Sequence, residues 1–430
     1  MTQPRAVARA AATAADIPAE DLPRLRRRMR WVLFAVAALG STGYIAAVTV
    51  GTLVAAELSG GAALGGLPTT TTTIGTAIAA SLIVLVMLRW GRRLGLLLGL
   101  AVGVLGGAVV LVSVVAGSIP LLLLGSAFTG FANAAGNLGR YIAADMASPE
   151  RRASAIGLVV WGTTVGAVIG PNLTAPAGAV AISLDLPELA GPYALTVLFI
   201  GLAWAVAAIF LRPEPYALAD PSALPTATDQ HGRVASLPAI LSRPTVGMAL
   251  VTLVAAQVVM VLIMTMTPLH LIDHGHGLAT VGFVLSAHTF GMFGLSPITG
   301  RLTDRFGSPR VIAAGLVGLA LAALLAALAP PDGGFLLTFA LFLLGYGWNL
   351  CFVAASSLVS HGLSLAERTR VQGIADALTW GTAAFASLSS GLVVAAASYT
   401  VLGFVGVGLT VIPAAFLALQ GRRLRPAATA

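Results

Sequence analysis

A chain of 430 residues with 57% hydrophobic residues, 9% charged residues and a mean hydropathy of +0.94 cannot cover a water-facing surface; soluble domains carry roughly 25% charged residues. The formal net charge is +8, yet lysine is absent and the 24 basic residues are arginines gathered in short patches between apolar runs, which excludes a nucleic-acid-binding stripe. One cysteine, Cys351, excludes an intrachain disulfide.

In chain order, residues 1–30 read as a polar tail, Ala-rich and then Arg-rich. The apolar run that follows is too long for a signal-peptide core, so no cleavage is expected. Apolar runs lie at 31–57, 65–88, 94–116, 118–143, 153–181 and 191–212, then at 245–271, 278–300, 310–329, 334–362, 370–396 and 399–420. A membrane span needs about 20 apolar residues, and lipid offers a bare backbone no partner, so each run is expected to be a helix. Residues 213–244, rich in Pro, Ala, Asp, Ser and Thr, read as a linker, and 421–430 as a second tail. The expected fold is an all-α membrane protein of twelve transmembrane helices, in six-helix bundles at 31–212 and 245–420.

The arginines supply the topology. They fall in the N-terminal tail (Arg24 to Arg30), then at Arg89/Arg92/Arg93, Arg140/Arg151/Arg152 and Arg212/Arg233/Arg243. The rest lie at Arg301/Arg305/Arg310, Arg368/Arg370 and Arg422/Arg423/Arg425. Every second connection carries them, so both termini are expected in the cytoplasm and the chain in the cytoplasmic membrane.

The two sets of six runs resemble each other. "LRWGRRLG" (Leu88–Gly95) follows the second run and "TDRFGSPR" (Thr303–Arg310) the eighth, while "ERRASAIGLVVWGT" from Glu150 parallels "ERTRVQGIADALTWGT" from Glu367. Such repeats suggest a transporter with its site near the midplane between them. No G-x-x-x-x-G-K-[ST] loop occurs, which argues against ATP as the energy source.

"GRLTDRFGSPR" resembles the loop signature of the major facilitator superfamily through Gly300, Asp304, Arg305, Gly307 and Arg310. The glycines permit a tight helix–loop–helix turn, and Asp and Arg can pair at the membrane face. In the N-terminal copy Leu88 replaces the Asp, leaving Arg89 or Arg92 to reach Asp376 as a gating pair. "GLVVWGTTVGAVIGP" is similar to the antiporter motif of the drug–proton branch through Gly157, Gly166, Gly170 and Pro171, although Thr174 and Ala175 stand where that branch has a closing Gly-Gly. The resemblance covers nearly the whole chain and implies an alternating-access secondary transporter, acting as a monomer and needing no cofactor.

"MVLIMTMTPLHLIDHGHG" (Met260–Gly277) raises the question of cargo. Met260 and Met264 share one face of the seventh helix, and His288 and Met292 one face of the eighth. Three thioethers and one imidazole form a soft ligand set suited to Cu(I). The two motifs resemble those of the CalT-type copper-importing branch, which implies that these four residues carry the metal. Met266, His270, His274 and His276 would collect it at the outer loop. Methionine is also a common gap-filler, whereas a histidine inside a span is costly unless it faces the interior.

Asn133, Asn137 and Asn349 either line the cavity or join helices by hydrogen bonds. Asp145 and Asp376 are expected to pair with Arg140, Arg151 or the loop arginines. The Thr69–Thr73 run reads as helix packing and Cys351 as an inert core residue. The leading expectation is copper import. The alternative is a proton-coupled importer or exporter of a drug, vitamin or metabolite, with His288 as proton carrier. No nucleophile–base arrangement suggests an enzyme.

Overall fold

The computed structural model describes residues 17–59, 66–219, 236–276, 278–330 and 334–420. Most of both tails, with Arg422, Arg423 and Arg425, and the middle of the linker with Arg233 lie outside the described residues. The helices are α1 Leu22–Ser59, α2 Leu67–Trp90, α3 Arg92–Ala116, α4 Ile119–Asp145, α5 Arg152–Ser183 and α6 Ala190–Phe210. They continue as α7 Pro244–Asp273, α8 Leu278–Thr289, α9 Ser296–Phe306, α10 Ser308–Leu328, α11 Gly334–Leu358, α12 Leu365–Ala396 and α13 Tyr399–Gln420. No strand occurs among the described residues.

Eleven of these described helices are long and apolar enough to cross a membrane. The twelfth candidate is the eighth run, where α8 and α9 are bent by 41° at a break. A π turn at Phe290–Gly294 makes that break. A π turn disrupts the regular carbonyl ladder, and here a side chain repairs it: Asn349 of α11 donates to the Met292 carbonyl at 2.6 Å. The same amide donates to Ser296 Oγ at 2.7 Å and accepts from Thr299 at 2.6 Å. Asn349 therefore joins helices, fixing the bend from the neighbouring span.

Packing repeats as the sequence does. In the first six spans, α1 lies on α6, α3 on α4 and α6, and α4 on α2; in the second, α7 lies on α13, α10 on α11 and α13, and α11 on α8 and α9. Small residues set the spacing. A Cβ at Gly106 would sit 2.5 Å from Thr129 N on α4, and one at Gly347 would sit 2.8 Å from Leu319 N on α10, so only glycine lets these backbones approach. The Thr70–Thr73 hydroxyls bond carbonyls of the preceding turn, satisfying themselves within α2.

By compactness the chain divides into one unit of Met1–Ser148, Val159–Val234 and Leu363–Gly381, and another of Pro149–Leu158, Ala235–Gly362 and Thr382–Ala430. The first turns of α5 thus belong with the second unit, and the first half of α12 with the first.

Two expected boundaries move. The tail expected over 1–30 gives way to helix at Leu22, because Leu and Arg are good helix formers and carry α1 out of the apolar run. The expected linker 213–244 is ordered at both ends, by a 3-10 turn at Pro215–Leu218 and a short helix at Leu237–Leu241. Tyr216, Ala217 and Leu218 are buried, so this end is a docked segment.

Candidate gating and substrate site

Buried charge is concentrated at one end of the first unit. Arg140 of α4 pairs with Asp376 of α12 at 2.5 Å, both side chains only 2% exposed. Its guanidinium also donates to Tyr141 Oη at 3.0 Å and to the Asn137 carbonyl at 2.7 Å. The stripe continues up α4 at helical spacing: Asn137 donates to the Asn133 carbonyl at 2.9 Å, and Asn133 to Thr76 Oγ1 of α2 at 3.3 Å. Asn133 and Asn137 thus form a polar rail ending in an ion pair.

The second buried pair is Arg92 with Asp145, at 2.5 Å. Arg92 also donates to Gln372 Oε1 of α12 at 2.5 Å and lies over the Tyr216 ring, 5.5 Å from its centroid. The pair expected between Arg89 or Arg92 and Asp376 is therefore replaced. Arg92, at the start of α3, faces Asp145 at the end of α4, and Arg140, five residues earlier on α4, is left to take Asp376. Arg89 is exposed and lies over Trp90 instead, 5.2 Å from the ring centroid.

Asp304 also differs from its expected partnership with Arg305. Its carboxylate accepts the backbone N–H groups of Ala153 at 3.0 Å and Ser154 at 2.9 Å. These are first-turn amides of α5, where an anion satisfies orphan donors and the helix dipole together. Arg305 stacks over Phe306, 5.3 Å from its centroid, and Arg310 donates to the Phe306 carbonyl at 3.3 Å. Gly307 has φ +83°, which requires glycine at the tight turn. Above the cap, Gly157 and Gly300 form a seam: an added Cβ at Gly157 would overlap the Ser296 carbonyl, and one at Gly300 would lie 2.7 Å from the Ala153 carbonyl. Higher on α5, Gly166 and Gly170 abut Ser41, Thr42 and Ala46 of α1. Pro171 lies within α5, which remains one helix.

Where Leu88 replaces the loop Asp, α12 is capped locally. Ser364 N donates to Glu367 Oε2 at 2.9 Å and Glu367 N to Ser364 Oγ at 3.4 Å, a reciprocal capping box. Gly373 of α12 meets Val84 of α2, with an added Cβ 2.6 Å from its methyl, and so stands in the repeat where Gly157 meets α9.

A further functional residue, Glu214, went unread in the sequence. It accepts Arg92 N at 2.6 Å and Arg93 N at 3.4 Å, capping α3 from the start of the linker. Arg26 donates to the Leu218 and Ala219 carbonyls at 2.9 and 3.1 Å, and Tyr216 Oη meets Thr369 Oγ1 at 2.8 Å. Burial raises the Glu214 carboxyl, opposed by the amide bonds and the Arg92 charge; burial likewise pushes Tyr216 up to about 12. A raised carboxyl favours folding below its unfolded value and loses that contribution as pH rises through the folded one. Docking of 213–219 is thus expected to loosen from acid towards neutral pH. Glu214→Gln should flatten that profile, measured as hydrogen exchange of this segment relative to an undocked peptide.

In the second unit, His288 is fully buried and its Nδ1 lies 2.8 Å from the Leu341 carbonyl of α11; Nε2 is buried with no hydrogen-bond partner among the described residues. Met260 is 4% exposed, while Met264, Met266 and Met292 are half-buried. Helix α7 lies against α13 and α11, and α8 chiefly against α11, with a slight direct contact between α7 and α8. At the end of α7, His270 stacks on Tyr399 at 4.2 Å and lies 4.3 Å from His274, whose Nδ1 meets the His270 carbonyl at 2.7 Å. His276 follows, half-buried, and its backbone N–H bonds the Leu271 carbonyl at 3.0 Å. Among the described residues no three His, Cys, Asp or Glu side chains form a metal-holding group. Cys351 is buried against α10, its sulfur 3.9 Å from the Ile312 carbonyl.

The same unit holds an aromatic layer. Trp348 stacks on Phe352 with centroids 4.4 Å apart and meets Phe293 edge-on at 5.9 Å. Its indole N–H donates to Gln257 Oε1 of α7 at 2.9 Å.

The sequence model of the Major Facilitator Superfamily matches residues 31–387 and 248–429. The chain is 36% identical over 400 residues to YddS of Bacillus subtilis, an uncharacterized MFS-type transporter, covering 92% of this chain and 91% of that one. It is 31% identical over 374 residues to the riboflavin transporter RfnT of Brucella anthropi, covering 85% and 88% respectively. The crystal structure of the human organic anion transporter MFSD10 superposes with a TM-score of 0.72 at 18% identity, over 91% of this chain and 99% of that one, a likeness of fold. The chain is a multi-pass membrane transporter rather than an enzyme, and it belongs to the Major Facilitator Superfamily.

Proposed function

We propose that the protein is a proton-coupled carrier of a small, planar organic solute. It works by alternating access in the cytoplasmic membrane with both termini inside, the orientation that its arginine pattern favours. The observation that carries the substrate class is the layer of Phe293, Trp348 and Phe352 braced by Gln257. Aromatic faces recognise flat heterocycles by stacking, and an amide supplies a polar handle. The name of the 31% identical relative, a riboflavin transporter, points the same way.

Asp145 and Asp376 are both held in ion pairs with arginines, and His288 is in no ion pair and has a buried ring nitrogen without a hydrogen-bond partner among the described residues. His288 is the proton site in this reading. Riboflavin is the first probe. Stacking on an aromatic plane contributes about 1–3 kcal/mol, so Phe293→Ala should lower uptake by about tenfold at unchanged membrane abundance. His288→Ala should leave binding but remove the response to a proton gradient. Uptake unaffected by either substitution would refute the reading.

One observation favours Cu(I) as the cargo instead. His288 engages a carbonyl through Nδ1 and leaves Nε2 available, as metal-ligating imidazoles do, and Met292 is one turn away. Copper uptake under reducing conditions, abolished by both Met264→Ala and His288→Ala, would establish that cargo.

A further inference from the structure

An open groove of about 620 Å³ lies at the start of α1 beside the end of α6, in the first unit. Its lining includes Arg24, Arg27, Arg28, Trp31, Val206 and Phe210. Positions 24, 27, 28 and 31 share one helical face, so three guanidinium groups lead directly onto an indole. We propose that this groove is a binding site for an anionic phospholipid. The phosphodiester would sit on Arg24 and Arg27, and an acyl chain would run along Trp31, Val206 and Phe210.

The charge arrangement carries the proposal. Arg28 is fixed: it donates to the Phe210 and Arg212 carbonyls at 3.2 and 2.7 Å, at the end of α6. Arg24 and Arg27 are exposed and form no ion pair or hydrogen bond among the described residues. Two cations therefore stand over a cavity without a counter-anion. Guanidinium groups match phosphate oxygens in a bidentate fashion. The lower wall is apolar and open, with Trp31 and Phe210 each 50% exposed. Tryptophan beside arginine at a helix end marks the headgroup level of a bilayer, and basic pockets between spans at that level take anionic headgroups. A zwitterionic lipid would bring its ammonium group towards three guanidinium groups and be disfavoured.

The test uses the full-length protein purified in neutral detergent, with lipid binding measured by native mass spectrometry. Phosphatidylglycerol should be retained; phosphatidylethanolamine and inorganic phosphate, at equal concentration, should not. Each arginine near an anionic surface contributes about fivefold, so Arg24→Gln/Arg27→Gln should weaken phosphatidylglycerol binding about 25-fold. Both positions are exposed, and an unchanged melting temperature would verify the fold. The charge-matched pair Arg422→Gln/Arg423→Gln should bind as wild type. Wild-type affinity in the Arg24/Arg27 variant, or equal loss in the control, would overturn the proposal. Inorganic phosphate competing as strongly as the lipid would show an anion site and overturn it equally.

Discussion

Arg140→Ala is expected to destabilise the described conformation by about 3–5 kcal/mol, the cost of stranding a buried carboxylate without its counter-ion. Asp376 is 2% exposed, so water cannot replace the guanidinium without opening the contact between α4 and α12. The same substitution removes the donors to the Asn137 carbonyl and Tyr141 Oη, detaching the rail that runs to Thr76. A large fall in melting temperature should accompany loss of transport. The double variant Arg140→Met/Asp376→Leu separates the two effects, since apolar replacement of a whole buried pair is often neutral or stabilising. It should recover much of the stability but not transport, because an apolar pair holds α4 to α12 without the charges that a carrier could break and remake. Wild-type stability and transport in Arg140→Ala would show that the ion pair does neither job.

Gly157→Leu should have the second largest effect, through shape alone. An added Cβ at Gly157 overlaps the Ser296 carbonyl, and the longer side chain would drive α5 and α9 apart. Overpacking of this kind costs about 1–3 kcal/mol. The cost falls on the described conformation, in which the Gly157 backbone packs directly on Ser296, and an alternating-access carrier has to reach every conformation of its cycle. The expected result is a protein that reaches the membrane, melts within a few degrees of wild type, and barely transports. Single-cysteine labelling at Ser154, beside the Asp304 cap, should become faster. Unchanged labelling and transport would mean that the seam never has to close.

Much of the fold was legible because lipid imposes one solution on a long apolar run: a helix that satisfies its own backbone. The spans, their repeat and the glycines that set their spacing follow from that constraint. Individual side-chain partners do not. Asp304 and Arg305 are adjacent in sequence and of opposite charge, yet Asp304 faces the free amides of α5, a partner 150 residues away. Arg92 and Arg140 both reach a buried carboxylate, and only the packing of α3, α4 and α12 decides which takes Asp376. The capping box of Ser364 and Glu367 was readable from spacing alone, as was the 133, 137, 140 stripe on α4. Glu214 carried little signal: one acid in a proline-rich stretch reads as solvated linker until the neighbouring amides are seen. The methionine pattern was equally visible, but helical spacing fixes only the face on one helix. The rotation of α7 and α8 about their axes sets whether two such pairs meet, and spacing within one helix does not encode it.

The decisive measurement is solute uptake into proteoliposomes carrying an imposed proton gradient. Labelled riboflavin and Cu(I) would be compared for wild type, Phe293→Ala and Met264→Ala. A planar organic cargo predicts gradient-dependent riboflavin uptake that falls about tenfold in Phe293→Ala and persists in Met264→Ala. Copper uptake lost in Met264→Ala, with no movement of riboflavin, would contradict that assignment and make the seventh span a metal path.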